Sequence, residues 1–183
     1  VTGTNWTWKF NFGERGSDPG QLYKPSGVAI GPDGSFYVAD TRPTFEDPSV
    51  NSRISVFDAS GVFITNWAVY PDVTRPHDTA VTPGGVLYIA NTLGQQIHAY
   101  SAVDTPVWSA GVAGTVSNGS GYFNIPRGIQ NGVGDRVYVA DTLNDRIKVY
   151  SAAGALQLMA GTAGAGDGEL NSPWDVWPST NDN

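Results

Sequence analysis

The chain has 183 residues, enough for one domain with a substantial hydrophobic core. Its 10 basic and 17 acidic side chains give a formal charge of −7. Because an acidic surface repels phosphate groups, this charge argues against nucleic acid as a partner. The lack of cysteine excludes disulfides and zinc–cysteine sites, and no apolar run approaches the roughly 18 residues of a membrane span.

The first predicted strand covers residues 5–12, in which polar and aromatic side chains alternate. A Gly-rich connector then leads to four short strands separated by Gly, Pro and Asp residues, which are typical of the turns between antiparallel strands. We predict these four strands at residues 28–30, 36–40, 53–58 and 62–69.

The same cycle of strands then restarts at regular intervals. Each cycle opens with a proline, and these prolines stand at positions 25, 76, 126 and 173, in steps of 51, 50 and 47 residues. Later strands are predicted at residues 79–81, 86–91, 96–101, 106–112, 136–141, 146–151, 155–160 and 174–178. The first cycle carries an insertion after its second strand. The underlying period of about 43 to 50 residues, with four strands in each period, is typical of propeller blades.

Three related segments carry the repeat: residues 136–150 (RVYVADTLNDRIKVY), residues 86–100 (VLYIANTLGQQIHAY), and residues 35–57 with the insertion. With GQLYKPSGVAIGPDGSFYVADT and GTAGAGDGELNSPWDV, they resemble NHL repeats over nearly the whole chain. The resemblance implies a β-propeller whose first strands line a central channel. In this family an N-terminal outer strand often completes the last blade, a role that suits residues 5–12.

We therefore predict an all-β fold, a β-propeller of four-stranded antiparallel blades within a single region, residues 1–183. Three full NHL-type blades are expected at residues 25–69, 76–112 and 126–161, with a partial blade at residues 173–183. Because propellers typically have about 4 to 8 blades, this chain alone should leave the ring incomplete. We expect a longer chain or partner chains to complete it, since open strand edges favour association.

Paired side chains recur where the second strand of a blade ends and the third begins. The pairs are Asp40 with Arg53, Asp141 with Arg146, and the neutral Asn91 with Gln96 in the middle blade. Both charges disappear together in the middle blade, as expected if each residue serves the other. A partly buried arginine is unfavourable without its carboxylate, so we predict structural pairs that bridge these loops.

The residues that follow the opening prolines are predicted at the mouth of the channel, where they would bind a ligand. These candidates are His77, Asp78, Arg127, Trp174 and Asp175. An exposed Trp174 would be a binding anchor. The aspartates could bind calcium or cap the strand starts.

The segment RPHDTAVTPGGVLYIA is similar to one in peptide-amidating lyases, where such a histidine binds zinc. Ser26, Arg127 and Trp174 stand at the equivalent positions of the other cycles and cannot complete that site. We therefore expect neither zinc nor calcium, and no other cofactor.

The predicted function is a non-catalytic binding or structural scaffold that engages protein or glycan partners, or self-assembles through its propeller faces and open blade edges. Sequons at Asn5 and Asn118 indicate N-glycosylation and an extracellular or cell-surface location. The alternative is a metal-dependent enzyme similar to amidating lyases or lactonases, with its site completed by further blades. RNA binding, known for some NHL proteins, conflicts with the acidic charge.

Overall fold

The computed structural model describes residues 9–41, 52–67, 73–101 and 105–179. Two short parallel strands lie in the first connector, β1 (Glu14–Arg15) and β2 (Gln21–Leu22). The first blade comprises β3 (Pro25–Ile30), β4 (Phe36–Asp40), β5 (Arg53–Phe57) and β6 (Phe63–Trp67). The second comprises β7 (Pro76–Val81), β8 (Leu87–Asn91), β9 (Gln96–Ser101) and β10 (Thr105–Gly111). The third comprises β11 (Pro126–Asn131), β12 (Val137–Asp141), β13 (Arg146–Tyr150) and β14 (Leu156–Ala160).

The predicted all-β propeller fold is confirmed. Within the described ranges, twelve strands form three four-stranded sheets in which consecutive strands are antiparallel neighbours, and no sheet closes on itself. Short 3-10 helices occur at Val133–Asp135 and Thr142–Asn144. No helix in this part of the chain is both long and apolar enough to span a membrane.

Strand bounds differ from the predicted ones where the first strands begin. β3 and β7 start at the opening prolines, three residues earlier than predicted. In each, the pairing with the second strand shifts just after the proline. Such a bulge lets a proline without an N–H group occupy the first position of a strand.

Two predicted strands take a different form. Residues 5–8 lie outside the described residues, and residues 9–12 form no strand. Phe12 instead packs against Phe36 and Phe57 of the first blade, with ring centres 4.8 Å apart in both cases. Residues 174–178 also form no strand, because no described segment offers them a hydrogen-bonded strand partner.

The hydrophobic core lies between the blades in two layers. β8 shows the arrangement best, because all five of its residues are buried. Leu87 and Ile89 face the first blade, whereas Tyr88 and Ala90 face the third. This two-sided burial follows from the alternation of side chains along a strand. The middle blade is therefore the centre of the molecule.

A hydroxyl group at the end of the second strand links the first blade to the second, and another links the second blade to the third. Thr41 Oγ1 donates to the carbonyl of Pro76, and Thr92 Oγ1 donates to the carbonyl of Pro126 at 2.7 Å. The equivalent Thr142 Oγ1 is buried and has no partner among the described residues. These links fix the opening proline of one blade against its neighbour.

Candidate ligand-binding site

The Asp40–Arg53 pair positions the connector that enters the first blade. The two residues face each other across β4 and β5, and Arg53 Nε lies 3.1 Å from Asp40 Oδ2. Arg53 also donates to the connector carbonyls of Ser17 and Gln21, both at 2.7 Å. Asp40 Oδ1 accepts the N–H of Lys24 at 2.8 Å. The pair thus holds the residue before the opening proline as well as the hairpin.

The Asp141–Arg146 pair does the same for the third blade. Arg146 Nε lies 2.8 Å from Asp141 Oδ2, and the Asp141 carboxylate is fully buried. Arg146 donates to the carbonyls of Asn118 and Gly119 at 2.6 and 3.0 Å. The other Asp141 oxygen accepts the N–H of Asn124 at 2.7 Å. The guanidinium donors that do not face Asp141, and the second carboxylate oxygen, therefore bind the backbone of the connector.

In the middle blade a neutral side chain takes the place of the carboxylate. Asn91 faces Gln96 across β8 and β9. Asn91 Oδ1 accepts the N–H groups of Arg75 at 3.1 Å and Thr74 at 3.2 Å. Lys24 and Arg75 are therefore held in the same way, one residue before the opening prolines of successive blades.

Lys148 is a fully buried cation that the sequence analysis missed. Its ammonium group donates to the carbonyls of Ser120, at 2.9 Å, and Tyr122, and lies 4.1 Å from the centre of the Phe123 ring. Burial lowers the pKa of Lys148 to about 8, although Asp141 opposes the shift. Its donors bind the connector that leads into the third blade, so its role is structural.

The first strands of the three blades pack side by side through a glycine–aspartate contact. A Cβ atom on Gly27 would lie 2.7 Å from the Cα of Asp78, and one on Gly128 would lie 2.5 Å from the Cα of Asp175. Asp78 Oδ2 accepts the N–H of Ile129 at 3.0 Å. Glycine is required at both positions because any side chain would overlap the neighbouring blade.

Burial raises the pKa of Asp78 to about 6, while the N–H groups of Ile129 and Thr79 oppose the shift and Asp175 adds to it. The carboxylate lies between blades, whereas Asp175 is exposed and accepts the N–H of Val176 at 2.7 Å. Both aspartates thus lie at contacts between blades, which is neither of the two roles, calcium binding and capping of strand starts, that the sequence analysis considered.

A cleft of about 440 Å³ opens where the first strands begin. We call it the mouth cleft, and its defining side chains are Lys24, Arg75, His77, Arg127 and Trp174. The guanidinium carbon of Arg127 lies 3.6 Å from the centre of the Trp174 ring, which is a cation–π contact. The His77 and Trp174 ring centres are 6.1 Å apart at an angle of 66°. Trp174 remains 60% exposed, so a ligand can reach it.

The structure brings together three of the five residues predicted at the channel mouth: His77, Arg127 and Trp174. It adds Lys24 and Arg75, which the sequence analysis missed. Each directly precedes an opening proline, and this shared position in the repeat is the sequence feature that could have identified them. The predicted Asp78 and Asp175 do not line the cleft.

The mouth cleft is positively charged although the chain as a whole is acidic. The pKa of His77 is lowered by burial and by the charges of Arg127 and Arg75, so the imidazole is neutral at pH 7. Burial and the charge of Arg75 also lower the pKa of Arg127. Among the described residues, no carboxylate forms an ion pair with either arginine. Such a cleft attracts an anion.

Metal ligands are not grouped in this part of the molecule. Across residues 9–41, 52–67, 73–101 and 105–179, no three His, Cys, Asp or Glu side chains are close enough to hold an ion. His77 Nδ1 is buried and makes no hydrogen bond to a described residue, and the adjacent arginines would repel a cation.

One of the two sequons lies within the described residues. Asn5 lies outside the described residues. Asn118 is exposed in the connector between the second and third blades. Its backbone carbonyl accepts a hydrogen bond from Arg146, so its backbone is fixed while its side chain faces solvent.

The blades and the mouth cleft define a β-propeller protein, and comparison with known proteins agrees. Residues 22–57, from the end of the first connector through β5, match the family model of the NHL repeat. The predicted NHL repeat is thereby confirmed for these residues, and the three four-stranded sheets confirm the propeller fold. None of the curated proteins matches the chain by sequence.

Solved structures show the same fold at low sequence identity. Hydrazine synthase of Kuenenia stuttgartiensis has a TM-score of 0.61 and 17% identity, over 96% of this chain and 41% of that chain. Virginiamycin B lyase from Staphylococcus aureus has a TM-score of 0.55 and 13% identity, over 73% and 40%. A nidogen–laminin complex has a TM-score of 0.56 and 17% identity, over 74% and 47%. The chain therefore spans less than half of the length of these proteins.

Proposed function

We propose that this chain is part of a non-catalytic binding module that engages a protein partner through the mouth cleft. The observation that carries the proposal is Trp174, which is exposed at 60% and held in place by the guanidinium of Arg127. Tryptophan and arginine are the side chains most enriched at the energetic centres of protein interfaces. An exposed tryptophan beside arginines that form no ion pair with a described carboxylate supports recognition of another molecule.

The rest of the mouth cleft supports binding rather than catalysis. Its histidine is neutral, and none of the described residues that line the cleft is a carboxylate that could act as a general acid or base. The threonine hydroxyls of the cleft, Thr41 and Thr92, donate to backbone carbonyls of the next blade. These hydroxyls therefore hold the blades together.

A photo-crosslinking amino acid placed at position 174 of the full protein tests the proposal. We expect one discrete cross-linked protein, and we expect Trp174→Ala to lower the affinity of that purified protein by about tenfold or more. The control position is Trp177, which is 81% exposed and lies near Gln130 and Val133 at the other end of β11. Equal cross-linking from both positions, or an unchanged affinity, would contradict the proposal.

The alternative, a metal-dependent propeller enzyme whose site further blades complete, has one observation in its favour. His77 Nδ1 is a buried ring nitrogen without a hydrogen-bond partner among the described residues. The charges of Arg75 and Arg127 oppose metal binding there. Elemental analysis of the full protein separates the two proposals, because only the enzyme should contain a stoichiometric metal that His77→Ala removes.

We further propose that the module works outside the cell or at its surface, where N-glycosylation takes place. The exposed side chain of Asn118 in a fixed connector supports this location. Glycosidase treatment of protein from its natural source should lower its mass, and Asn118→Gln should remove part of that change. An unchanged mass would argue against the proposal.

A further inference from the structure

We propose that the mouth cleft recognises an acidic peptide segment of the protein partner, whose carboxylates are bound by Lys24, Arg75 and Arg127. This inference rests on the proposed function and adds the chemistry of the ligand. The juxtaposition of three cations from three blades with an exposed tryptophan carries it.

The arginines of the cleft differ from the other arginines that anchor blades. Arg53 and Arg146 each hold a carboxylate and at least two backbone carbonyls. By contrast, neither Arg75 nor Arg127 donates a side-chain hydrogen bond to a described residue. The guanidinium of Arg127 instead lies over the face of the Trp174 ring. Guanidinium donors without partners are suited to bind carboxylates in a bidentate manner.

The backbone positions that carry the cations are also fixed by the fold. The N–H of Lys24 is held by Asp40, and the N–H of Arg75 is held by Asn91. Arg127 follows the opening proline of the third blade, and that proline's carbonyl is held by Thr92. Each blade therefore supplies one cation from a hydrogen-bonded backbone position. Preorganised groups lose less entropy on binding, which raises affinity.

The occupant is better matched by a peptide than by a glycan. Sugars are recognised through many hydrogen bonds to their hydroxyl groups, yet the hydroxyls of Thr41 and Thr92 are already committed to carbonyls between blades. The cleft also contains the apolar side chains of Leu93 and Ile125. Apolar walls with charged donors at one side suit a peptide that carries both apolar and acidic side chains.

A nucleic acid is a poorer match than a peptide. Among the residues that the structure describes, three cations line the cleft, and the chain as a whole has a charge of −7. A long phosphate backbone would meet the acidic remainder of the surface, where it is repelled. A short acidic peptide can lie within the cleft and avoid that surface.

The test uses the full protein and a fluorescent ten-residue peptide that alternates glutamate with glycine and contains one leucine. We expect saturable binding by anisotropy, with at least tenfold weaker binding when glutamine replaces glutamate. Arg75→Met with Arg127→Met should also weaken binding at least tenfold, whereas Arg127→Lys should keep part of it. Raising the salt concentration should weaken binding. Arg15→Met, which changes an exposed arginine on β1, is the matched control and should have no effect.

Several results would overturn the inference. These are equal binding of the glutamine peptide, an equal loss with Arg15→Met, or tighter binding of a polyuronate or an oligonucleotide. The circular dichroism spectrum of the double variant must match that of the parent, which shows that the variant folds. If the spectra differ, the binding of Arg127→Lys is compared with the parent instead. If the protein cross-linked through position 174 binds the double variant normally, the acidic-peptide inference fails while the binding module stands. If Trp174→Ala affects no partner, the proposed function itself fails.

Discussion

Asp78 was predicted at the mouth of the channel, but its carboxylate lies between blades. It lies beside Gly27 of the first blade and accepts the N–H of Ile129 in the third, so one side chain contacts both neighbours of its own blade. Burial raises its pKa to about 6. A carboxylate with a raised pKa binds protons more strongly in the folded state than in the unfolded state. Its contribution therefore makes stability fall as the pH rises from about 4 to about 6.

Asp78→Asn should remove the fall in stability between about pH 4 and pH 6. The amide keeps an oxygen that accepts the Ile129 N–H, and it carries no charge. We expect the free energy of unfolding at pH 7.5 to rise by about 1 to 3 kcal/mol. Below pH 4 the parent and the variant should be equally stable. Urea unfolding at both pH values measures the difference, with Asp175→Asn as the control because Asp175 is exposed. A variant less stable than its parent at pH 7.5 would show that ionised Asp78 stabilises the fold.

The paired side chains between second and third strands act on whole elements. In the first and third blades the pair joins two strands to the connector before them, whereas Asn91 performs the connector contact without a charge in the second blade. Hydrogen bonding to the incoming backbone is therefore the shared task. The negative charge of Asp40 or Asp141 pairs with the arginine, and the arginine in turn donates to further carbonyls of the connector.

Arg146→Gln alone should destabilise the protein by about 2 to 4 kcal/mol, because it leaves the buried Asp141 carboxylate with Lys148, at 3.9 Å, as its remaining cation among the described residues. Asp141→Asn with Arg146→Gln copies the middle blade and should recover part of that loss. Thermal or urea unfolding of the two single variants and the double variant gives the coupling energy. Strictly additive effects would mean that the pair does not act as a unit.

The sequence predicted the elements of the fold well because blade repeats are encoded locally. Turn residues, alternating apolar side chains and regular prolines placed all three blades. The bulge after each opening proline was missed, since it depends on pairing with the second strand. Residues 174–178 were predicted as a strand from their similarity to earlier cycles, but a strand also needs a hydrogen-bonded neighbour.

The candidate site was predicted only in part because it forms between blades. His77, Arg127 and Trp174 were found from their shared position in the repeat. Lys24 and Arg75 were missed because nothing local shows that residues before and after the prolines face one cleft. Contacts of this kind join positions about 50 residues apart and become visible only when the blades are packed together.

On the scale of the whole molecule, the two outer blades expose apolar side chains where the middle blade buries them. Val28 and Ile30 of β3 and Leu158 of β14 are each more than half exposed. In the middle blade the equivalent faces form the two core layers. We therefore expect the outer faces to be covered in the complete protein, by further blades or by other copies.

Leu158→Glu tests this expectation in the full protein. If the face is covered, a charge there should destabilise the assembled protein by about 2 kcal/mol or more. Val116→Glu, at an exposed valine in a connector, should have little effect. Light scattering before and after denaturation shows whether other copies or further blades provide the cover. A stable native species of 19.4 kDa, unaffected by Leu158→Glu, would contradict the expectation.

The residues at the inner contact between blades alternate: Gly27, Asp78, Gly128 and Asp175 in four successive cycles. Whether this alternation of glycine and aspartate can continue unbroken around a closed ring depends on whether the number of blades is even or odd. If the alternation continues in further blades, a ring with an even number of blades closes with glycine-to-aspartate and aspartate-to-glycine junctions in strict alternation. A ring with an odd number must contain one junction between two blades of the same kind, either two glycines or two aspartates, whose carboxylates would repel each other. Such a junction would lack the contacts seen at the others, and we expect a propeller with an odd number of blades to open there first.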